Sequence, residues 1–343
     1  MLKLYTNTNF LTETYRRQVF PLLFDLVFKK NDTLLSKYQL VAAIEDADVV
    51  VFPADYAVFL KQKHACTTLL HLAKQHQKPI WIYTAGDYGF TNYIPNSYTF
   101  RLGGFDSQLD TNTFVIPSFI NDPYDTFLPQ GFSALKKDST PSIGFVGHAQ
   151  SGFKKYVKEY TNHLKYRIKR AFNVILADQQ SFYPSSIKRA KYLSQLAVND
   201  QLNTQFILRH HYRAGSQSEL TQKESSKQFY DNMFNNAYTL CLRGVGNFSV
   251  RFYETLAVGR IPILINTDCR LPLSSKIDWS KHCLIIEEKG KVPIAEQILK
   301  FHNSLTETAF ENLQTSNRDL WLNTLRREPY FLEIYNQFKT KQQ

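Results

Sequence analysis

Arg243-Gly-Val-Gly-Asn-Phe-Ser-Val-Arg251-Phe-Tyr-Glu254 is the stretch whose reading decides the fold. The apolar run at 237–242 before it reads as a buried strand. A loop with Gly244 and Gly246 follows, a helix starts at Ser249 and ends at Gly259, and 261–265 reads as a second strand. A strand, a glycine loop and a helix start together present unbonded backbone N–H groups, which suit an anion. Arg251 in the first helical turn opposes the helix dipole, so its charge costs stability unless an anion joins it. With Arg243 and Arg251 flanking the loop, a phosphate or diphosphate is the expected ligand. Glu254, one turn on, is placed to accept hydrogen bonds from sugar hydroxyls.

Working outward, the first half alternates short apolar runs with helical patterns. Strands are expected at 2–6, 47–53, 79–84 and 113–117, with helices over 13–28 and 56–75. That alternation predicts a parallel sheet with helices on both faces. Pro123, Pro129, Gly131 and Pro141 mark a linker, after which 142–147 opens a second α/β series. Its strands are expected at 204–208, 237–242, 261–265 and 283–287. Phe153, Val157, Tyr160, Leu164, Ile168 and Phe172 recur at helical spacing and predict one buried face. The expected division is 1–135, 140–317 and a helical tail, 318–343, packing back on the first domain. Loops 86–89, 147–150 and 243–249 follow strands, and in open α/β sheets ligands bind at such carboxyl ends.

The 343 residues, 43% of them hydrophobic, can supply two cores. The net charge of +11 is local rather than general: residues 151–191 hold ten Lys/Arg against two Asp/Glu. Such a surface implies an acidic partner, whether membrane lipid, anionic glycan or nucleic acid. The plain alternative is a solvated helix face. Cys66, Cys241, Cys269 and Cys283 are widely spaced, with no zinc pattern and no disulfide framework, which suits a reducing compartment. No run reaches the ~18 apolar residues of a membrane span. The N-terminus reads as a strand and not as a signal peptide. The expected location is therefore cytoplasmic, with peripheral contact at the inner membrane face.

The 238–279 block resembles the signature of exostosin-type glycosyltransferases. The matching residues are Leu240-Cys-Leu-Arg-Gly-Val-Gly246, Ser249-Val-Arg-Phe-Tyr-Glu254, Ala257-Val-Gly-Arg-Ile-Pro-Ile-Leu-Ile265, Leu271-Pro272 and Asp278-Trp279. Weaker similarity lies at 47–53, at Gly86-Asp-Tyr-Gly89 and at Phe145-Val-Gly147. Leu242 replaces a usual proline, and Arg260 stands where cysteine is common. The resemblance implies an α/β protein of the GT-B fold, two Rossmann-like domains facing across a cleft. It implies an inverting transfer, without a metal or other cofactor, from a nucleotide-sugar donor, usually UDP-linked. The acceptor would be a glycan or lipid-linked glycan on the first domain, in bacterial surface polysaccharide or glycoconjugate synthesis.

Carried over by position, Arg243, Gly244, Gly246, Ser249, Arg251 and Glu254 bind the donor, with His148 as a further contact. An ordinary loop histidine is the alternative for His148, and a surface Arg251–Glu254 ion pair the alternative for that pair. Arg251 would also stabilise the departing diphosphate. Asp87, in a glycine-flanked turn, is the candidate base; Asp55 reads as a turn or capping residue. Asp46-Ala-Asp48 matches D-x-D but precedes its strand, away from the cleft, so no metal is expected there. His210 and His211 point to opposite sides of an extended chain. Two other readings compete. Gly244-Val-Gly-Asn-Phe-Ser249 approaches the dinucleotide fingerprint, with Asp268 near the next strand's end. The 151–191 region alone fits a non-enzymatic polyanion binder. The expected partners remain the sugar nucleotide, the glycan and an anionic membrane surface, with no nucleic acid.

Overall fold

A computed structural model describes residues 1–209 and 219–342; His210 and His211 lie outside the described residues. The first sheet is formed by β1 (Leu2–Tyr5), β2 (Tyr38–Leu40), β3 (Val49–Val51), β4 (Ile80–Thr84), β5 (Ser97–Arg101) and β6 (Thr113–Val115). Its order is β2-β1-β3-β4-β5-β6, and every pairing is parallel. Helices α1 (Pro21–Val27), α2 (Asp32–Leu35), α3 (Tyr56–Phe59) and α4 (Lys63–Gln75) connect these strands, and α5 (Pro123–Phe127) leads out of the sheet. Parallel strands buried on both faces need continuous apolar runs, and Val49, Val50 and Val51 are fully buried.

The second sheet contains β7 (Ser142–His148), β8 (Asn203–Arg209), β9 (Tyr238–Cys241), β10 (Ile261–Asn266) and β11 (Leu284–Glu287). Its order, β11-β10-β9-β7-β8, is again wholly parallel. Around it lie α6 (Phe153–Ala171), α7 (Ser185–Ala197), α8 (Glu219–Asn235), α9 (Val250–Ala257), α10 (Ile294–Ser304) and α11 (Glu307–Leu320). A π-helical turn, Trp321–Leu325, redirects the chain into α12 (Arg327–Gln342). That last helix lies on the first sheet: Tyr330 Oη donates to Val115 O, Tyr38 Oη donates to Phe331 O, and Phe338 packs on Trp81 at 4.6 Å. The two parallel sheets with their connecting helices form an α/β arrangement of two Rossmann-like halves.

Several local expectations are corrected. The 13–28 helix begins only at Pro21, because Val19 is held in a bridge with Ala54 and Pro21 is preset for a first helical position. The 56–75 helix is broken between α3 and α4. The largest correction concerns α6. Its apolar face is not buried: Phe153 is 81% exposed, Tyr160 50% and Ile168 49%, while Tyr166 is the one buried residue of the helix. Arg260, at the unusual family position, is a buried anchor that donates to Phe234 O, Ser133 O and Gln314 Oε1. Gly259 just before it ends α9 at φ 70°, where a Cβ would lie 2.3 Å from Phe132.

Candidate donor site

The loops after β4, β7 and β9 meet at the carboxyl ends of the two sheets. A Cβ on Gly246 would lie 1.8 Å from the carbonyl oxygen of Asp87, so the two loops touch backbone to backbone and only glycine fits. Gly246 therefore serves the contact between the two loops. Gly244 has open space around it, and a Cβ there would meet nothing within 4 Å. Ser249 caps α9 with extended backbone, but its hydroxyl makes no capping bond. Asn247 Nδ2 donates across the cleft to Gly104 O and, within its own half, to Thr267 O and Asp268 O.

Arg251 leaves the first turn of α9 and crosses to the end of β7. Its Nη2 donates to Val146 O at 2.7 Å, and its guanidinium stacks on Phe145 at 4.1 Å. Arg189, from α7, shares that ring at 5.9 Å and donates to His148 O at 2.6 Å. Arg209, at the end of β8, donates to Ser225 O and Gln228 Oε1. Arg243 lies between Phe105 and Tyr183, at 5.2 and 4.7 Å, and donates to Gln180 Oε1 and Val245 O. All four keep a buried Nε–H with no hydrogen-bond partner among the described residues. Burial lowers the pKa of each, Arg189 to about 10, and the Arg251 charge adds to the effect on Arg189. Desolvated like charges with spare donors are costly.

Glu254 does not face open solvent as a free ribose acceptor would. It lies beside Arg251 and Tyr230, and burial raises its pKa from 4.5 to about 7 against the pull of Arg251. The folded state therefore holds an extra proton between about pH 4.5 and 7. Stability falls as pH rises through that window and levels off above it. Glu254→Gln should flatten this decline, by no more than about 3 kcal/mol. Urea denaturation of wild type and variant at about pH 5 and about pH 8 checks it.

His148 is engaged on both ring nitrogens. Lys155 Nζ donates to Nε2 at 2.8 Å, which leaves the proton on Nδ1 to donate to Arg209 O at 3.1 Å. Asp87 is exposed at the cleft, yet surrounding protein raises its carboxyl pKa above the usual range. Asp55 is structural: its carboxylate accepts from Ala85 N at 2.6 Å and joins the ends of β3 and β4. Asp48 accepts from Lys3 N, at the opposite end of the sheet from the cleft. Asp268 accepts from Ser107 N and Oγ, so its carboxylate is engaged across the cleft.

Sequence reading missed Arg189, Gln180 and Tyr183. They lie about sixty residues before the glycine loop and carry no local motif. The excess of cations in 151–191 was the available signal. Also unread was the tie between the two halves. Arg101, at the end of β5, pairs with Asp178 at 2.7 Å, and Asp178 also accepts from Thr91 N and Oγ1.

Residues 169–300 match the Exostosin GT47 domain, a span that holds all four arginines and Glu254. A Caenorhabditis elegans protein described as an Exostosin-1 homolog is 32% identical over 94 residues, 27% of this chain and 23% of that protein. The match thus spans about a quarter of that relative. Within that span the chain is similar to an exostosin-type glycosyltransferase domain. Among solved structures, TarM superposes with a TM-score of 0.37 at 10% identity, covering 85% of this chain and 55% of TarM. WaaG, a glycosyltransferase involved in lipopolysaccharide biosynthesis, gives 0.34 at 10% identity, over 96% and 98%. At those scores neither bears on function here.

Proposed function

We propose that this protein moves a sugar from a UDP-linked donor to a glycan acceptor, with inversion, as in the synthesis of bacterial surface polysaccharide or glycoconjugate. One observation carries the reading: four desolvated arginines, on α7 and α9, at the end of β8 and just after β9, each with an unused Nε–H. A diphosphate offers the charge and acceptor oxygens that this cluster lacks. In this reading residues 140–317 hold the donor, 1–135 the acceptor, and 318–343 fasten the two. The acceptor hydroxyl attacks the anomeric carbon and gives its proton to Asp87. The electrons of the sugar–phosphate bond leave on the nucleoside diphosphate, whose growing charge the arginines stabilise. The raised pKa of Asp87 suits a base.

A thermal-shift panel of free nucleotides and nucleotide sugars tests the donor, because a ligand of the native state raises the melting temperature. UDP and UDP-sugars should shift it. A shift by NADH with none by UDP would instead favour the dinucleotide reading. In the same assays Asp87→Asn should keep the UDP shift while turnover drops on the order of 10²-fold or more. Full transfer by that variant removes Asp87 from the base role.

A further inference from the structure

The helix α6 is seated the wrong way round for a protein in water. Its inward side is polar. Lys155 reaches His148 and pairs with Glu159, Arg170 Nε donates to Ala177 O, and the Tyr166 hydroxyl donates to Asp178 O while its ring stacks on Tyr88 at 4.4 Å. Its outward side carries Phe153, Val157, Tyr160, Leu164, Ile168 and, at the C-cap, Phe172, all more than 40% exposed. These recur at three- and four-residue spacing and so form one continuous stripe. Lys154, Lys158, Lys165 and Lys169, all exposed, line one edge of it, and Arg167 is exposed on the other. Val174, just beyond the helix, extends the apolar surface at 68% exposure. An exposed stripe of this length on a protein marks a surface that another phase or molecule covers.

We infer that α6 is an in-plane anchor that lays its apolar stripe into the boundary of an anionic lipid bilayer. The charge arrangement selects this occupant. Aromatic and aliphatic residues on one side with cations along the edges match the acyl and headgroup layers of such a surface. A second copy of the chain would set lysine edge against lysine edge in a two-fold contact, on a chain already at +11. No helix among the described residues is long and apolar enough to cross a membrane, so α6 lies on the surface. Seated there, the helix would hold the donor loops at the lipid surface, since Lys155 touches His148 at the end of β7. The anchor does not depend on the transferase reading.

Vesicle flotation of the full chain tests it, using phosphatidylcholine vesicles with and without phosphatidylglycerol. The protein should float with the anionic vesicles and be released by salt. Replacing Lys154, Lys158, Lys165 and Lys169 with Gln should lower the partition coefficient on the order of 10²-fold or more. Leu164→Asp with Ile168→Asp should abolish flotation, while circular dichroism and the UDP-induced thermal shift stay unchanged, because both side chains face outward. Equal flotation with neutral and anionic vesicles overturns the inference. So does wild-type flotation by either variant. Absence of flotation together with a dimer that Leu164→Asp dissociates would assign the stripe to self-association instead.

Discussion

Arg251→Ala is expected to lower turnover by roughly 10²–10³-fold and to abolish the thermal shift produced by UDP. The side chain spans from α9 to β7, stacked on Phe145 and bonded to Val146 O, with Arg189 and Arg209 near enough to depress its pKa or be depressed by it. Such a group is held in place before any ligand arrives, so little reorganisation is needed when charge develops on a leaving diphosphate. The free protein should lose some stability, since a desolvated cation–π stack contributes about 2 kcal/mol. That loss alone does not separate a binding role from a packing role. The UDP shift does, because a packing residue far from the anion would leave it intact. Arg251→Lys keeps the charge but not the flat stack, and should recover only part of the activity. Turnover within a few-fold of wild type, with the UDP shift retained, would remove Arg251 from the site.

Asp178→Ala should destabilise the fold by about 3–5 kcal/mol, the range for breaking a buried ion pair by deleting one partner. Arg101 is 1% exposed, and its remaining bonds are to the Gly103 and Tyr88 carbonyls and, at 3.5 Å, to Thr91 Oγ1. Without Asp178 it becomes a buried cation without its counter-charge, and Thr91 N loses its acceptor. Asp178 belongs to the segment between α6 and α7, whereas Arg101 and Thr91 belong to the first sheet and its loops, so the loss is felt where the halves join. Asp178→Asn retains an acceptor for Thr91 and should lie between wild type and Ala. Equilibrium urea denaturation reads the difference. A change below about 1 kcal/mol would show that the pair adds little beyond the packing around it.

Much of the architecture was legible because buried parallel strands need unbroken apolar runs. Val49–Val51, Ile80–Thr84 and Ile261–Asn266 are such runs, and each is a strand. Tyr38–Leu40 was not read, since three residues are too few to show a period. Ser97–Arg101 was not read because it ends in a charged residue whose counter-charge lies seventy-seven positions away. The periodicity of α6 was read correctly in phase but assigned to the wrong environment. A helical stripe reports that one side is apolar and not what it faces. In the site, Arg243 follows β9, Arg251 sits in the first turn of α9 and Asp87 lies in the loop after β4.

From the sequence alone came the two α/β halves, the glycine loop between strand and helix, and the arginines beside it. Those features are local: apolar runs, helical spacing and turn residues act over a few positions. The tertiary structure alone decided which cations gather, because Arg189 and Arg209 reach Arg251 only through the packing of α7 and β8 against β7. It also decided that Gly246 meets Asp87 and that the apolar stripe of α6 faces outward. Charge clustering and burial depend on distances between segments far apart along the chain, and residue order does not encode those distances locally.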